Sequence, residues 1–395
     1  MARSQLRPSS VKERGSKMYK EMTRPKSNRR IRKPLRIGFL PLVDCAPLVM
    51  AHELGLFEKY RIDVELCREI GWGTVRDKII YGELDAAHAP AALPFAVNYA
   101  LGYETQGCVA GLVLSLQGNA ITLSQELWDR GVRDARTLRA EILRVWGQKT
   151  YIFGVVFLFS SQNFLLRQWL RSGGINPDTD VRIVVIPPAQ MFPNLKLGNL
   201  DGYCVGEPWN SIAVQAEAGQ CVATSRELAP LHPEKVLMVR RDFAEERADE
   251  HERLIAALLE ACAFCDQPEN REAISETLAW ARYVNAPADC LKSGPLSPFH
   301  LGNTKIKSLL DLNIFHRHHA NEPSDDKAAW IVSQLVRAGL LKDPSHVRIP
   351  AARDVFRLDI FDRAKTCLIG EARNITAEIN NDETPRSTET INLVP

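Results

Sequence analysis

Apolar and polar positions follow two rhythms along the chain. Leu35-Arg36-Ile37-Gly38-Phe39-Leu40 and the later stretch RIDVELCRE (61–69) alternate with period two, and both predict strands. Between them, residues 46–54 predict a helix closed by Gly55. TVRDKIIYGELDAAHA (74–89) predicts a helix running into a short strand, and NFLLRQWLRSGGI (163–175) a helix stopped at Gly173-Gly174. VRIVVI (181–186) predicts a buried strand, and PPAQMFPNLKLGNLDGYCV (187–205) another helix-to-strand unit. Strands separated by helices imply parallel sheets with helices on their faces.

One phrase occurs twice. YGELDAAHAP (81–90) and LGNLDGYCVGEP (197–208) each end a helix in Gly, bury a Leu, turn at Asp and enter a short apolar strand. Glycine permits the left-handed stop that such a turn requires. One copy reads as a local motif; two in matching contexts predict paired lobes, each with its own sheet. Ligands of parallel sheets bind beyond the strands' carboxyl ends, so two facing sheets predict a cleft.

Length and charge refine this picture. A chain of 395 residues exceeds one ordinary core, and 45% apolar with 25% charged residues is the composition of a globular protein. No apolar run approaches the roughly eighteen residues a membrane-spanning helix needs. Residues 1–36 carry thirteen Lys or Arg against Glu13 and Glu21, which leaves net −9 on the remainder of a chain of net +2. The basic stretch reads as a solvated, disordered arm, with contact to RNA, DNA or an acidic partner as the alternative. No apolar export segment follows Arg29-Arg30, and nine scattered cysteines read as reduced core residues, so the expected location is cytoplasmic. Cys262-x-x-Cys265 reads as packing on a helix, and His316, His318 and His319 as a loop without a second ligand set.

Several longer words carry a resemblance. LRIGFLPLVDCAPLVMAHELGLFEKYRIDVEL, WGTVRDKIIYGELDAAHAP, QGNAIT, VVIPPAQMFPNLKLGNLDGYCVGEPWN and HPEKVL resemble the nitrate-binding proteins of nitrate and bicarbonate ABC importers, over about residues 35–290. The resemblance implies an α/β fold of the two-lobed periplasmic-binding-protein type (type II), with a parallel-type sheet in each lobe flanked by helices and a ligand cleft between the lobes. The expected organisation is a basic tail (1–34), a first segment of lobe 1 (35–120), lobe 2 (121–235), a return segment of lobe 1 (236–367) and a second tail (368–395).

Carried over residue by residue, the family's anion pocket falls on Trp72, Asn119, Gln162, Gly206 and Lys235. Gln162 stands where the nitrate importers have His, so that position donates through an amide and is never cationic. Nitrate is planar, singly charged and offers only acceptors, so a selective pocket supplies donors and one positive charge. Lys235 is expected to supply that charge, Asn119 and Gln162 their amides, Trp72 an indole N–H, and Gly206 room for close backbone approach. Taken singly, Trp72 reads as a core aromatic, Asn119 as a turn residue and Lys235 as a surface lysine.

The function expected from this resemblance is binding of nitrate or nitrite by a cytoplasmic sensor that controls an RNA-binding antiterminator of nitrate assimilation. The alternative is the solute-binding component of a nitrate ABC importer, periplasmic and working with the importer's membrane subunits. No cofactor or metal is expected. An enzyme related to the pyrimidine-precursor synthases of the same fold is a third reading, without a locatable catalytic His and Cys. Phosphate loops, nucleophile elbows and zincin motifs are absent from the sequence.

Overall fold

A computed structural model describes residues 33–99, 107–293, 299–300, 306–307, 312–341 and 352–368. The tails expected at 1–34 and 368–395 lie almost wholly outside these residues. The main strands are β1 (Leu35–Phe39), β2 (Val64–Arg68), β3 (Ala86–Pro90), β4 (Cys108–Gln117), β5 (Asn119–Ser124), β6 (Ile152–Val155), β7 (Arg182–Val185), β8 (Gly202–Gly206), β9 (Gly219–Thr224) and β10 (Pro233–Arg240). The helices that matter below are α1 (Ala46–Glu53), α2 (Trp72–Ile80), α3 (Ser161–Ser172), α4 (Pro188–Lys196) and α5 (Ala248–Asp266).

Two sheets result. The first runs β4-β10-β3-β1-β2, with a short strand at Asn313–Ile314 on its β4 edge; the second runs β7-β6-β8-β5-β9. Each has a parallel portion, β3-β1-β2 and β7-β6-β8, as helical crossovers require. Each also has antiparallel strands, which the helix-strand alternation did not reveal: β10 lies against β3 and β4, and β5 against β8 and β9. These are the strands through which the chain passes between sheets. The stretch expected to be a buried strand at 181–186 is instead an edge strand, with Val185 48% exposed. Its β-branched run satisfied the propensity for a strand, which does not distinguish edge from centre.

Apolar burial explains why the helices settle where they do. Leu48, Val49 and Ala51 of α1 and Leu254, Ile255, Leu258 and Cys262 of α5 are buried beneath β1 and β4, together with Ile37, Phe39, Leu112 and Leu114. A second cluster contains Trp72, Val75 and Ile79 of α2, Phe164 of α3, Met191 of α4 and Val205 of β8. It therefore includes residues from both sheets.

The repeated phrase is a repeated structure. Gly82 and Gly198 have φ of 74° and 75°, and their N–H groups donate to the carbonyls of Ile79 and Leu195 at 3.1 and 3.0 Å. Leu84 and Leu200 follow, 1% and 2% exposed. The Asp85 carboxylate accepts the backbone N–H of Arg36 at 2.9 Å, and that of Asp201 accepts the N–H of Ile152 at 2.7 Å. Each Asp N–H donates back to the carbonyl of the same residue, Arg36 at 2.9 Å and Ile152 at 2.8 Å. The two Asp side chains thus fasten β3 to β1 and β8 to β6 at matching positions. Each Leu also fills space left by a glycine, since a Cβ at Gly38 would lie 2.5 Å from Leu84 and one at Gly154 3.0 Å from Leu200.

At the first passage between sheets, Gln117 and Gly118 both have positive φ, 62° and 96°, and a Cβ at 118 would stand 2.2 Å from the Asn313 amide. Only glycine satisfies both the angle and the space. At the return, the pairing of β10 with β4 shifts register between Pro233, Lys235 and Val236. That irregularity is what a β-bulge produces, and it changes where successive side chains point.

Because Leu84 and Leu200 have equivalent roles, Leu84→Ala and Leu200→Ala are each expected to destabilise the protein by about 2–5 kcal/mol in urea unfolding. A loss below about 1 kcal/mol at either position would contradict the equivalence.

Candidate functional site

The passage between the sheets is also where the sequence-derived site residues lie. Asn119 opens β5 and pairs with Gly206, the last residue of β8. Gln162 is in the first turn of α3, whose preceding residue Ser160 caps it by accepting the Asn163 N–H at 3.3 Å. Lys235 is on β10, and Trp72 begins α2. A Cβ at Gly206 would lie 3.6 Å from the Asn119 side-chain Oδ1 and 3.7 Å from an Asp44 carboxylate oxygen, ordinary contact distances. The Lys235 ammonium is 5.6 Å from the centre of the Trp72 ring. Asn119, Gln162 and Lys235 are wholly buried and Trp72 is 1% exposed. The group is closed off from solvent.

Glu234, which the sequence reading did not single out, is at the centre. One carboxylate oxygen accepts the Gln162 amide at 2.9 Å and the Lys235 ammonium at 2.6 Å. The other accepts the Asn119 amide at 2.6 Å and the Ser161 hydroxyl, with His232 Nε2 3.1 Å away. His232 Nδ1 faces the Ala229 carbonyl at 2.8 Å, so its contact with Glu234 requires a proton between ring and carboxylate. The Gln162 amide also donates to the Asn119 side-chain oxygen at 2.7 Å. Ser225 accepts the Asn119 backbone N–H at 3.1 Å.

Lys235 is therefore not the free positive charge expected of it. It bridges Glu234 and Asp44, 2.6 Å from each, and all three side chains are 3% exposed or less. Asp44 lies in the turn after β1, with His88 Nε2 of β3 3.1 Å away but not aligned as a donor. Burial pushes the Asp44 and Glu234 carboxyls up, but the Lys235 ammonium, with His88 for Asp44 and His232 for Glu234, outweighs it and holds both below the usual carboxylate range. Burial pushes the Lys235 ammonium down, and the two carboxylates outweigh that in turn, leaving it above its ordinary value. Three buried polar groups here have no hydrogen-bond partner: Trp72 Nε1, both nitrogens of His88 and one oxygen of Asp44.

Other sequence candidates lie elsewhere. Cys262 and Cys265 are buried on α5, and the Cys262 thiol contacts the Leu114 carbonyl at 3.7 Å. His316 contacts Asn321 at 2.8 Å within a turn where His318 and His319 have positive φ. Among the described residues no group of three or more His, Cys, Asp or Glu is placed to hold a metal, and no helix is long and apolar enough to cross a membrane. Glu207 accepts the Ser211 hydroxyl at 2.6 Å, and its backbone carbonyl accepts the Val43 N–H at 2.8 Å. That second bond ties the end of β8 to the turn carrying Asp44.

Two mixed sheets, joined by crossing strands and closed over a polar cage, define the periplasmic-binding-protein fold. The crystal structure of the periplasmic nitrate-binding protein NrtA from Synechocystis superposes with a TM-score of 0.81 at 26% identity, covering 85% of this chain and 89% of that one. Residues 30–279 match the NMT1-like family, and the chain belongs to it. It is also 39% identical over 333 residues to the nitrate import ATP-binding protein NrtC of Synechocystis. A further relative, 38% identical over 361 residues, is the bicarbonate transport ATP-binding protein CmpC of the same organism. The alignments take in 84% and 89% of this chain but only 49% and 51% of those proteins, so the chain spans about half the length of these curated relatives.

The triad makes a pH prediction. Asp44 and Glu234 titrate below their ordinary values, so their contribution is complete above about pH 4.5 and is lost as pH falls further; Lys235 titrates above 10.5, so its contribution is complete below that pH. Lys235→Met leaves two buried carboxylates without their ammonium and is expected to cost about 3–5 kcal/mol at pH 7. Acid then protonates those carboxylates, so the deficit relative to wild type shrinks towards pH 4. Urea unfolding at both pH values measures it, and a deficit independent of pH would contradict the electrostatic account.

Proposed function

We propose that this chain binds a small planar oxyanion, nitrate or nitrite, in the cage at the crossing of the sheets, as the solute-recognising component of an anion importer. The observation that carries this reading is the convergence of the Asn119, Ser161, Gln162, His232 and Lys235 donors on one buried carboxylate. A carboxylate and a nitrate ion share trigonal planar geometry and acceptor-only oxygens, so donors arranged for one suit the other. Trp72 Nε1–H adds a buried donor with nothing to bond. Trp72, Asn119, Gln162, Gly206 and Lys235 are the proposed ligand contacts, with Ser161 and His232 added from the geometry.

The importer role draws support from the likeness to NrtA and NrtC; the sensor role and its antiterminator partner draw none. This chain has no Gly-x4-Gly-Lys-Ser/Thr loop, and it matches about half the length of the ATP-binding relatives. Recognition of solute is the role this reading gives the chain, by its likeness to the nitrate-binding protein NrtA. The cytoplasmic location likewise lacks support, and the structurally similar NrtA is described as periplasmic. The proposed partners are the membrane and ATP-binding subunits of the importer.

A second reading is hydrogencarbonate. Lys235 is already neutralised by Asp44 and Glu234, and Glu234 is an acceptor that a protonated oxyanion satisfies with its own hydroxyl. The likeness to CmpC points the same way.

Calorimetry with nitrate, nitrite and hydrogencarbonate decides among these. The wild type is expected to bind nitrate or nitrite at micromolar concentration. Trp72→Phe keeps the ring and removes the unpartnered donor, so it should weaken anion binding by about tenfold or more while leaving the melting temperature unchanged or higher. Absence of heat with all three anions, or tighter binding by Trp72→Phe, would count against the site.

A further inference from the structure

We infer that the Glu234 carboxylate is a built-in occupant of the cage, standing where an external oxyanion goes, so that ligand and side chain compete for one set of donors. This rests on reading the cage as an anion site and adds how that site is kept closed when empty. Both carboxylate oxygens are saturated, one by Gln162 and Lys235, the other by Asn119, Ser161 and His232. Each of these five groups already donates to Glu234, so a second anion would have to share them while Glu234 stays. The donors come from both sheets and from α3, so one carboxylate holds together the surfaces that an arriving ligand would otherwise bridge.

The backbone allows such an exchange. The Glu234 carbonyl is fixed by the Ala91 N–H at 3.0 Å, so the side chain can turn without the strand moving. The register shift at Pro233 and Lys235 takes this residue out of the regular alternation that would send Glu234 and Lys235 to opposite faces. Displacement moves a negative charge away from Asp44 as the ligand brings one in, so the charge around Lys235 is conserved. Without Glu234, Asp44 alone would balance Lys235 one for one, and the donors of the cage would stand open to any small anion. The occupant therefore also sets a threshold that chloride, which cannot span donors arranged about a planar group, does not pass.

Two variants of the full chain test this. Glu234→Ala leaves a carboxylate-sized hole among intact donors, so its melting temperature should fall by several degrees and be restored by formate or nitrate at tens of millimolar, but not by chloride at equal ionic strength. Glu234→Gln removes the competing charge and should bind nitrate about tenfold more tightly than wild type in calorimetry. Equal response of Glu234→Ala to formate, nitrate and chloride would overturn the inference, as would weaker nitrate binding by Glu234→Gln. Failure of both variants to fold in formate or nitrate would overturn it too, because the anion is expected to replace the missing carboxylate. Nitrate binding by wild type without rescue of Glu234→Ala would sink this inference and leave the proposed function standing. Formate rescue with a wild type silent to nitrate, nitrite and hydrogencarbonate would do the reverse.

Discussion

The interaction on which the rest of this structure depends is the buried triad of Asp44, Lys235 and Glu234, with the ammonium 2.6 Å from each carboxylate. Three charges in a dry interior are tolerated only when each is paired and its remaining lone pairs are used. The fold pairs all three charges and surrounds Glu234 with donors, leaving one Asp44 oxygen without a hydrogen bond, by drawing groups from several elements that reach the crossing. Asp44 arrives on the turn after β1, Asn119 at the start of β5, Ser161 and Gln162 at the start of α3, and His232, Glu234 and Lys235 where the chain returns to the first sheet. A polar cage that recruits from both sheets closes them together.

Much of the scaffold was legible in the sequence because its elements obey local rules. The period-two stretch at 35–40, the helix before Gly82 and the helix before Gly173 all formed where periodicity and stop residues placed them. The doubled Gly-x-Leu-Asp phrase was legible as well. Its use of each Asp to fasten a neighbouring strand repeats to within a few tenths of an ångström. The antiparallel strands were not legible, because β4, β5 and β10 owe their direction to passage between sheets and not to any local pattern. The edge position of β7 escaped for a related reason, since apolar β-branched residues serve either place in a sheet.

The candidate site was half legible. Trp72, Asn119, Gln162, Gly206 and Lys235 do come together, yet Glu234 and Asp44 were passed over. Glu234 adjoins Lys235, and in a regular strand neighbours face opposite ways; here both reach the cage at a place where the pairing with β4 shifts register. Asp44 had a detectable signal, a lone acid in the otherwise uncharged run FLPLVDCAPLVMA, where a buried charge needs a partner. The cost of missing them was the belief that Lys235 offers an uncompensated charge. The structure shows a cage whose donors are held by an internal carboxylate, and on the proposed reading recognition becomes a matter of exchange and of planar shape more than of net attraction.

The most direct test of the central claim is a crystal structure of the full chain grown in saturating nitrate. The account predicts a planar anion bonded to Asn119, Gln162 and the Lys235 ammonium, in reach of the Trp72 indole N–H, with the Glu234 side chain turned away. Glu234 still holding all five donors, with no anion beside Trp72, would contradict it.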